Sequence, residues 1–224
     1  MNRTSEITAN LNDVKAKIAS AALKAGRDAD EITLIVVTKT FPVSDLEILY
    51  SLGVREFGEN RDQEAVEKVA KLPSNINWNF QGGIQSNKLK SISTWAGCIH
   101  SVDKLKYAQI ISEQNIGKPK EIFIQVSLDQ PPESRGGVDP KKLIDIASEI
   151  TKLPGISLKG LMAVAPLDLP EEQAFLKLKE IQADFVAVFK GAKYLSAGMS
   201  GDYEMAISHG ATHLRIGSSI LGNR

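Results

Sequence analysis

Apolar residues recur at Ile7, Leu11, Val14, Ile18 and Ala21, the spacing of one face of a helix, and Gly26 follows where a left-handed residue can end it. After that helix the pattern changes. Ile32–Thr38 is an apolar run of the kind expected from a parallel strand covered on both faces. Pro42–Leu52 reads as a helix closed by Gly53, Val54–Phe57 as a short strand, and Arg61–Leu72 as a helix with Ala65, Val66 and Val69 on its apolar side. A strand over Ile76–Phe80 and a short helix over Gln85–Ile92 come next.

The second half keeps the rhythm. Ala96–His100 is a predicted strand, and Asp103 is placed to cap the helix that ends before Gly117. Glu121–Leu128 is a strand, and Asp139-Pro140 is a helix start whose apolar face is Leu143, Ile146, Ala147, Ile150 and Leu153. Ser157–Ala163 is a strand; Pro170-Glu171-Glu172 opens a helix with negative charge at its positive end, burying Phe175, Leu178, Ile181, Phe185 and Val188. Lys193–Ser196 is a strand, Asp202–Ser208 a helix, Thr212–Ile216 the last strand, and a short helix can start at Ser218. Eight strands, each followed by a helix, after one extra N-terminal helix, predict an α/β fold closed into a (β/α)₈ barrel spanning residues 1–224 as one domain. The rival, an open doubly wound sheet, is disfavoured because no Gly-x-Gly-x-x-Gly follows the first strand.

Composition narrows the partners. Lys plus Arg and Asp plus Glu are 27 each, so the net charge is zero, which disfavours nucleic acid or an anionic membrane as a partner. The single cysteine, Cys98, can form no internal disulfide or metal cluster and reads as a small buried hydrophobe. The first residues lack the apolar stretch of a signal peptide, and no apolar run approaches the ~18 residues that span a bilayer. A cytoplasmic location and a monomer are expected. His100, His209 and His213 have no metal-ligand spacing, and no metal site is expected.

Chemistry on such a barrel belongs at the C-terminal ends of its strands. Lys39 stands where the first strand stops. It is either a surface lysine or an amine at the mouth, kept partly neutral by burial and able to form imines with aldehydes. Arg215 and His213 share one face of the last strand, opposite Leu214 and Ile216; a buried guanidinium there needs a partner, either a structural carboxylate or a ligand. Gly217-Ser218-Ser219 and Ser196-Ala197-Gly198-Met199-Ser200 follow the eighth and seventh strands. Each is an ordinary cap or, as a pair, a phosphate site built from N–H groups and hydroxyls, with Ser200 placed to cap the next helix. Asn60 is either the cap of its helix or a hydrogen-bond donor to a ligand. The loop Gln130–Gly137 follows the fifth strand and lies at the same end.

Taken in order, Val37-Thr38-Lys39-Thr40, Phe57-Gly58-Glu59-Asn60, Gly82 to Lys88, Gly160-Leu161-Met162, Ser196 to Ser200 and Arg215 to Gly222 resemble the YggS/PROSC family of pyridoxal-phosphate-binding proteins over nearly the whole chain. The resemblance implies a barrel like the N-terminal domain of alanine racemase, without that enzyme's second domain. It implies pyridoxal 5′-phosphate as cofactor, held as a Schiff base on Lys39, with Arg215 facing the pyridine nitrogen. It further implies that Ser200, Gly217 and Ser218 cradle the phosphate with Met199 beside them, and that Asn60 lies near the ring. Asn79 stands where the family usually has His, Gln81 where it has an apolar residue, and Ser134-Arg135-Gly136-Gly137 where it has a Lys-Ser-Gly-like stretch. The implied role is storage and delivery of the cofactor to apo-enzymes with little or no turnover. A small amino-acid racemase is the alternative; a Schiff-base aldolase fits less well, since aldolase lysines usually lie on later strands.

Overall fold

The computed structural model describes residues 2–115, 117–129 and 136–222. Eight parallel strands close a barrel in chain order: β1 (Thr33–Val37), β2 (Glu56–Glu59), β3 (Asn77–Phe80), β4 (Cys98–Val102), β5 (Lys120–Gln125), β6 (Ile156–Met162), β7 (Tyr194–Ser196) and β8 (His213–Ile216). Strand β1 closes the ring on β8, with Ile35 opposite Arg215. The helices between them are α2 (Val43–Ser51), α3 (Asp62–Val69), α4 (Leu89–Trp95), α5 (Leu105–Gln114), α6 (Leu143–Ile150), α7 (Glu171–Val188) and α8 (Tyr203–Ser208), with α9 (Ser218–Leu221) after the last strand. The extra helix α1 (Arg3–Lys24) packs against α8, α9 and α2, outside the seam where β8 meets β1. Its Arg3 donates to the Asp45 carboxylate and to the Leu221 carbonyl, while Arg27 donates to the carbonyls of Ile207 and Ala211.

Alternation along each strand divides the interior into two layers. Val36, Phe57, Trp78, Ile99 and Leu214 belong to the large apolar layer between strands and helices. A smaller cluster of Cys98, Phe123 and Met162 lies apart from it, with Val164 and Tyr194 packed against it. Cys98 is the buried hydrophobe its setting suggested, its thiol pushed well above the usual range by burial. No helix among the described residues is long and apolar enough to cross a membrane.

Several boundaries differ from the sequence reading. Strand β2 runs over Glu56–Glu59 rather than Val54–Phe57, because Gly58 and Glu59 pair with Asn79 and Phe80 and a buried lysine answers the Glu59 carboxylate. Strand β4 runs later, to Val102, and β5 stops at Gln125, beyond which Val126 makes an isolated bridge to Val138. Helix α3 is shorter than Arg61–Leu72 and rolls Val66 outward, 43% exposed; Val188 at the end of α7 is 57% exposed rather than buried. Asp103 does not cap α5, which starts after Lys104; its carboxylate accepts from the Gly137 N–H at 3.2 Å. Asp139 does cap the turn of Pro140–Lys142 that leads into α6, accepting from the Lys141 N–H.

Candidate functional site

Lys39 emerges at the C-terminal mouth, directly after β1 and the buried Thr38. The chain there folds into a β-turn: the Phe41 N–H donates to the Thr38 carbonyl at 3.2 Å, with Lys39 and Thr40 at its corners. Thr40 has φ +67°, a left-handed conformation that costs a β-branched residue on the order of 1–3 kcal/mol. Lys39 is exposed, so the burial expected for its amine is not supplied by the protein alone.

Behind the turn, in the layer between β1, β2 and α3, lies a buried charged group. The Lys68 ammonium donates to the Thr38 carbonyl at 2.7 Å, to Glu59 Oε1 at 2.7 Å and to Glu64 Oε1 at 2.6 Å. Thr38 Oγ1 also donates to Glu59 Oε1, at 2.6 Å, and the Thr40 N–H donates to Glu64 Oε1, at 2.5 Å. Burial pushes the Glu59 carboxyl above its ordinary range, against the pull of Lys68 and Thr38.

Arg215 is 5% exposed and, among the described residues, makes no ion pair. Its partners are neutral: Nη1 donates to Ser196 Oγ at 2.8 Å and Nη2 to the Ala163 carbonyl at 2.9 Å. The structural carboxylate considered from the sequence is absent from this pairing. Burial lowers the guanidinium to about 10.

From Arg215 a chain of hydrogen bonds crosses the barrel. Ser196 Oγ is 2.9 Å from His100 Nδ1, His100 Nε2 is 2.9 Å from Asn79 Oδ1, and Asn79 Nδ2 donates to Glu56 Oε2 at 2.9 Å. Burial, then the charges of Arg215 and His213, hold His100 well below the usual imidazole range, so its ring is neutral. The Asn79 oxygen requires the proton on Nε2, which leaves Nδ1 to accept from the Ser196 hydroxyl while that oxygen accepts from Arg215. Every donor therefore points from the arginine toward the Glu56 carboxylate. The His100 ring stacks on Phe123 at 4.6 Å. His213, also facing inward, is lowered to about 4 by burial, with Lys159 and Arg215 adding to it.

The turns after β7 and β8 meet. Ser200 does not cap α8; that helix starts after Asp202, whose carboxylate takes the Met199 N–H at 2.6 Å. Ser200 Oγ instead accepts from the N–H groups of Gly217 and Ser219, at 3.4 and 3.3 Å. A side chain at Gly217 would press on the Val37 carbonyl, 3.0 Å from where its Cβ would lie, so glycine lets this turn sit beside the end of β1. Ser218 and Met199 are exposed beside it.

Asn60 is not the cap of α3; Arg61 holds that position, and the Asn60 Oδ1 atom is buried without a partner. Gln81 Oε1 is likewise buried and unpartnered, and its amide fills the space beside Gly58 that a Cβ would take. Ser134 and Arg135 lie outside the described residues. Lys39, Asn60, Ser200, Arg215 and Gly217 are thus each at or just after the C-terminal end of a strand; the reading from sequence missed Lys68, Glu64 and the Ser196–His100–Asn79 chain. Among the described residues no group of three His, Cys, Asp or Glu side chains is arranged to hold a metal.

Comparison with known proteins places this architecture. The sequence model described as "Alanine racemase, N-terminal domain" matches residues 5–224. The pyridoxal phosphate homeostasis protein of Mycobacterium tuberculosis is 38% identical over 245 residues, covering 100% of this chain and 95% of the relative. The structure of PipY from Synechococcus elongatus with pyridoxal phosphate bound superposes with a TM-score of 0.80 at 30% identity, over 93% of this chain and 100% of that one. An alanine racemase of Clostridium difficile shares the fold at 15% identity and a TM-score of 0.78; this chain spans 60% of its length.

Proposed function

The chain belongs to the pyridoxal phosphate homeostasis protein family, and from that premise we propose that it binds pyridoxal 5′-phosphate at the C-terminal mouth of its single barrel and stores or delivers it with little or no turnover. The observation that carries the binding half is Arg215: a buried cation with two neutral partners and no carboxylate, on the strand beside the one that presents Lys39. The unpartnered amide oxygens of Asn60 and Gln81 at neighbouring strand ends suit a polar occupant. In this reading Lys39 holds the aldehyde carbon, Arg215 faces the pyridine nitrogen, and Asn60 lies near the ring. Ser200, Gly217 and Ser218 hold the phosphate, with Met199 at their side.

When bound, the group supplies an electron-withdrawing ring joined to the amine that holds it. Arg215, charged up to about pH 10, opposes protonation of a nitrogen facing it, because two adjacent positive charges repel. The chain's own bases do little to offset this. Among the described residues the titratable groups whose charges couple to Arg215 are Asp202, His100 and His213; the Asp202 carboxylate is engaged by the Met199 N–H, both imidazoles are lowered by burial, and His100 has both ring nitrogens engaged. Retention of the cofactor is favoured over removal of a substrate proton. Apo-enzymes that need the cofactor are the partners this role implies.

The test uses the loaded protein in deuterated water with common amino acids, followed by proton NMR, and then mixes it with a cofactor-free enzyme. Negligible α-proton exchange and restored activity of the second enzyme are expected. Rapid exchange that disappears in Lys39→Ala would replace this reading with a racemase.

A further inference from the structure

We propose that Lys68 and Glu64 together are a positioning clamp for Lys39, an inference that rests on Lys39 being the amine that holds the cofactor. The clamp grips the main chain on both sides of that lysine. Lys68 Nζ takes the carbonyl entering the turn, that of Thr38, and Glu64 Oε1 takes the N–H leaving it, that of Thr40. The two gripping groups are themselves joined at 2.6 Å, four residues apart on α3. Glu59, with no exposed side-chain surface, and the Thr38 hydroxyl complete the set from β2 and β1.

The arrangement explains why a threonine is held at φ +67°. Left to its own preference, Thr40 would return to a negative φ. The Lys39–Thr40 peptide would then rotate, and the direction in which Lys39 leaves the chain would change with it. The acceptor on Glu64 fixes that peptide, and the ammonium of Lys68 fixes both Glu64 and the preceding carbonyl. Lys68 is 5% exposed and its three acceptors come from the turn after β1, from β2 and from its own helix, so it transmits the position of α3 to the turn. Neither side chain needs to touch the cofactor.

The experiment compares affinity for pyridoxal 5′-phosphate with affinity for pyridoxine 5′-phosphate, the alcohol, which carries the same phosphate but cannot bond to an amine. The ratio of the two isolates what Lys39 contributes. In Lys68→Met and in Glu64→Ala the ratio is expected to fall about tenfold, the equivalent of losing one charge-assisted hydrogen bond from the positioned turn, with affinity for the alcohol unchanged. Glu64→Gln, which keeps an acceptor for Thr40, should restore most of it. Lys68→Met leaves Glu59 buried without its cation; if that variant does not fold, Glu64→Ala, altered at a side chain 24% exposed, decides the matter. A fall in the ratio smaller than about threefold in folded Glu64→Ala overturns the clamp, as does an equal loss of both affinities. Lys39→Ala distinguishes failure of the clamp from failure of the lysine assignment: if the parent's preference for the aldehyde survives in it, the assignment of Lys39 fails and the clamp falls with it.

Discussion

His100 and Ser196 stand 96 residues apart in the chain and meet across the barrel at 2.9 Å. The serine hydroxyl is the hinge of the interior: its oxygen accepts a hydrogen bond from Arg215 on one side and its O–H donates one to His100 on the other. Ser196→Ala would leave one N–H of Arg215 and one nitrogen of His100 buried and unpartnered. Each such group costs about 1–3 kcal/mol, so a loss of about 2–6 kcal/mol is expected in urea unfolding. A loss below about 1 kcal/mol would mean the chain of hydrogen bonds is not maintained in solution.

Arg215 tests the balance between stability and binding. Burial lowers the guanidinium to about 10, so it stays charged at neutral pH in both folded and unfolded protein and is held in the fold at a cost on the order of 3 kcal/mol. Replacing it by methionine removes that cost but takes the donors away from the Ala163 carbonyl and Ser196 Oγ, which costs about 1–3 kcal/mol for a buried acceptor left unpaired. Arg215→Met is therefore expected to melt close to the parent while binding pyridoxal 5′-phosphate more weakly. Melting lower by more than about 4 °C would show the arginine to be structural.

The two inward imidazoles predict an acid-sensitive fold. His100 is held well below 6.5 and His213 at about 4, both chiefly by burial. Their folded pKa values lie below the unfolded one, so between them the unfolded chain binds the extra protons. The stability from keeping the rings neutral is therefore complete above about pH 6.5 and lost as pH falls toward about 4. Urea midpoints measured across this window should fall with pH, and less steeply in His213→Asn. An unchanged slope in that variant would contradict the assignment for His213.

Pyridoxal without its phosphate should bind more weakly than the phosphorylated form by at least about 1.5–3 kcal/mol, the range for one hydrogen bond to a charged group. The difference should shrink in Ser200→Ala, whose hydroxyl now rests on the N–H groups of Gly217 and Ser219. Isothermal titration of both aldehydes reads it directly. Equal affinities would refute a phosphate site at this turn.

The barrel was legible because its signal is local: apolar runs of strand length, alternating with helix-spaced faces and punctuated by Gly26 and Gly53, both left-handed in the structure. The positions of Lys39 and of the Ser200 and Gly217 turns were legible for the same reason, since each follows a recognisable strand, while Arg215 lies within one. The remainder depends on side chains that only the closed fold brings together. Lys68 has the look of a surface lysine on a polar helix, yet it is buried because Glu59, Glu64 and the Thr38 carbonyl converge on it. Glu59 looked like the start of a loop because nothing in Phe57-Gly58-Glu59 announces a buried carboxylate. Asn79 stood out only as a departure, although it links His100 to Glu56. The signal available was the i, i+4 pairing of Glu64 with Lys68, which carries no sign of burial.

In the proposed reading the exposed amine of Lys39, at the corner of the Thr38–Phe41 turn, holds pyridoxal 5′-phosphate. The most direct measurement is borohydride reduction of the cofactor-loaded protein followed by peptide mass spectrometry. A yellow protein is expected, its absorbance bleached by the reagent and its label on the peptide containing Lys39. A label on another lysine, or none in protein shown to be loaded, would contradict it.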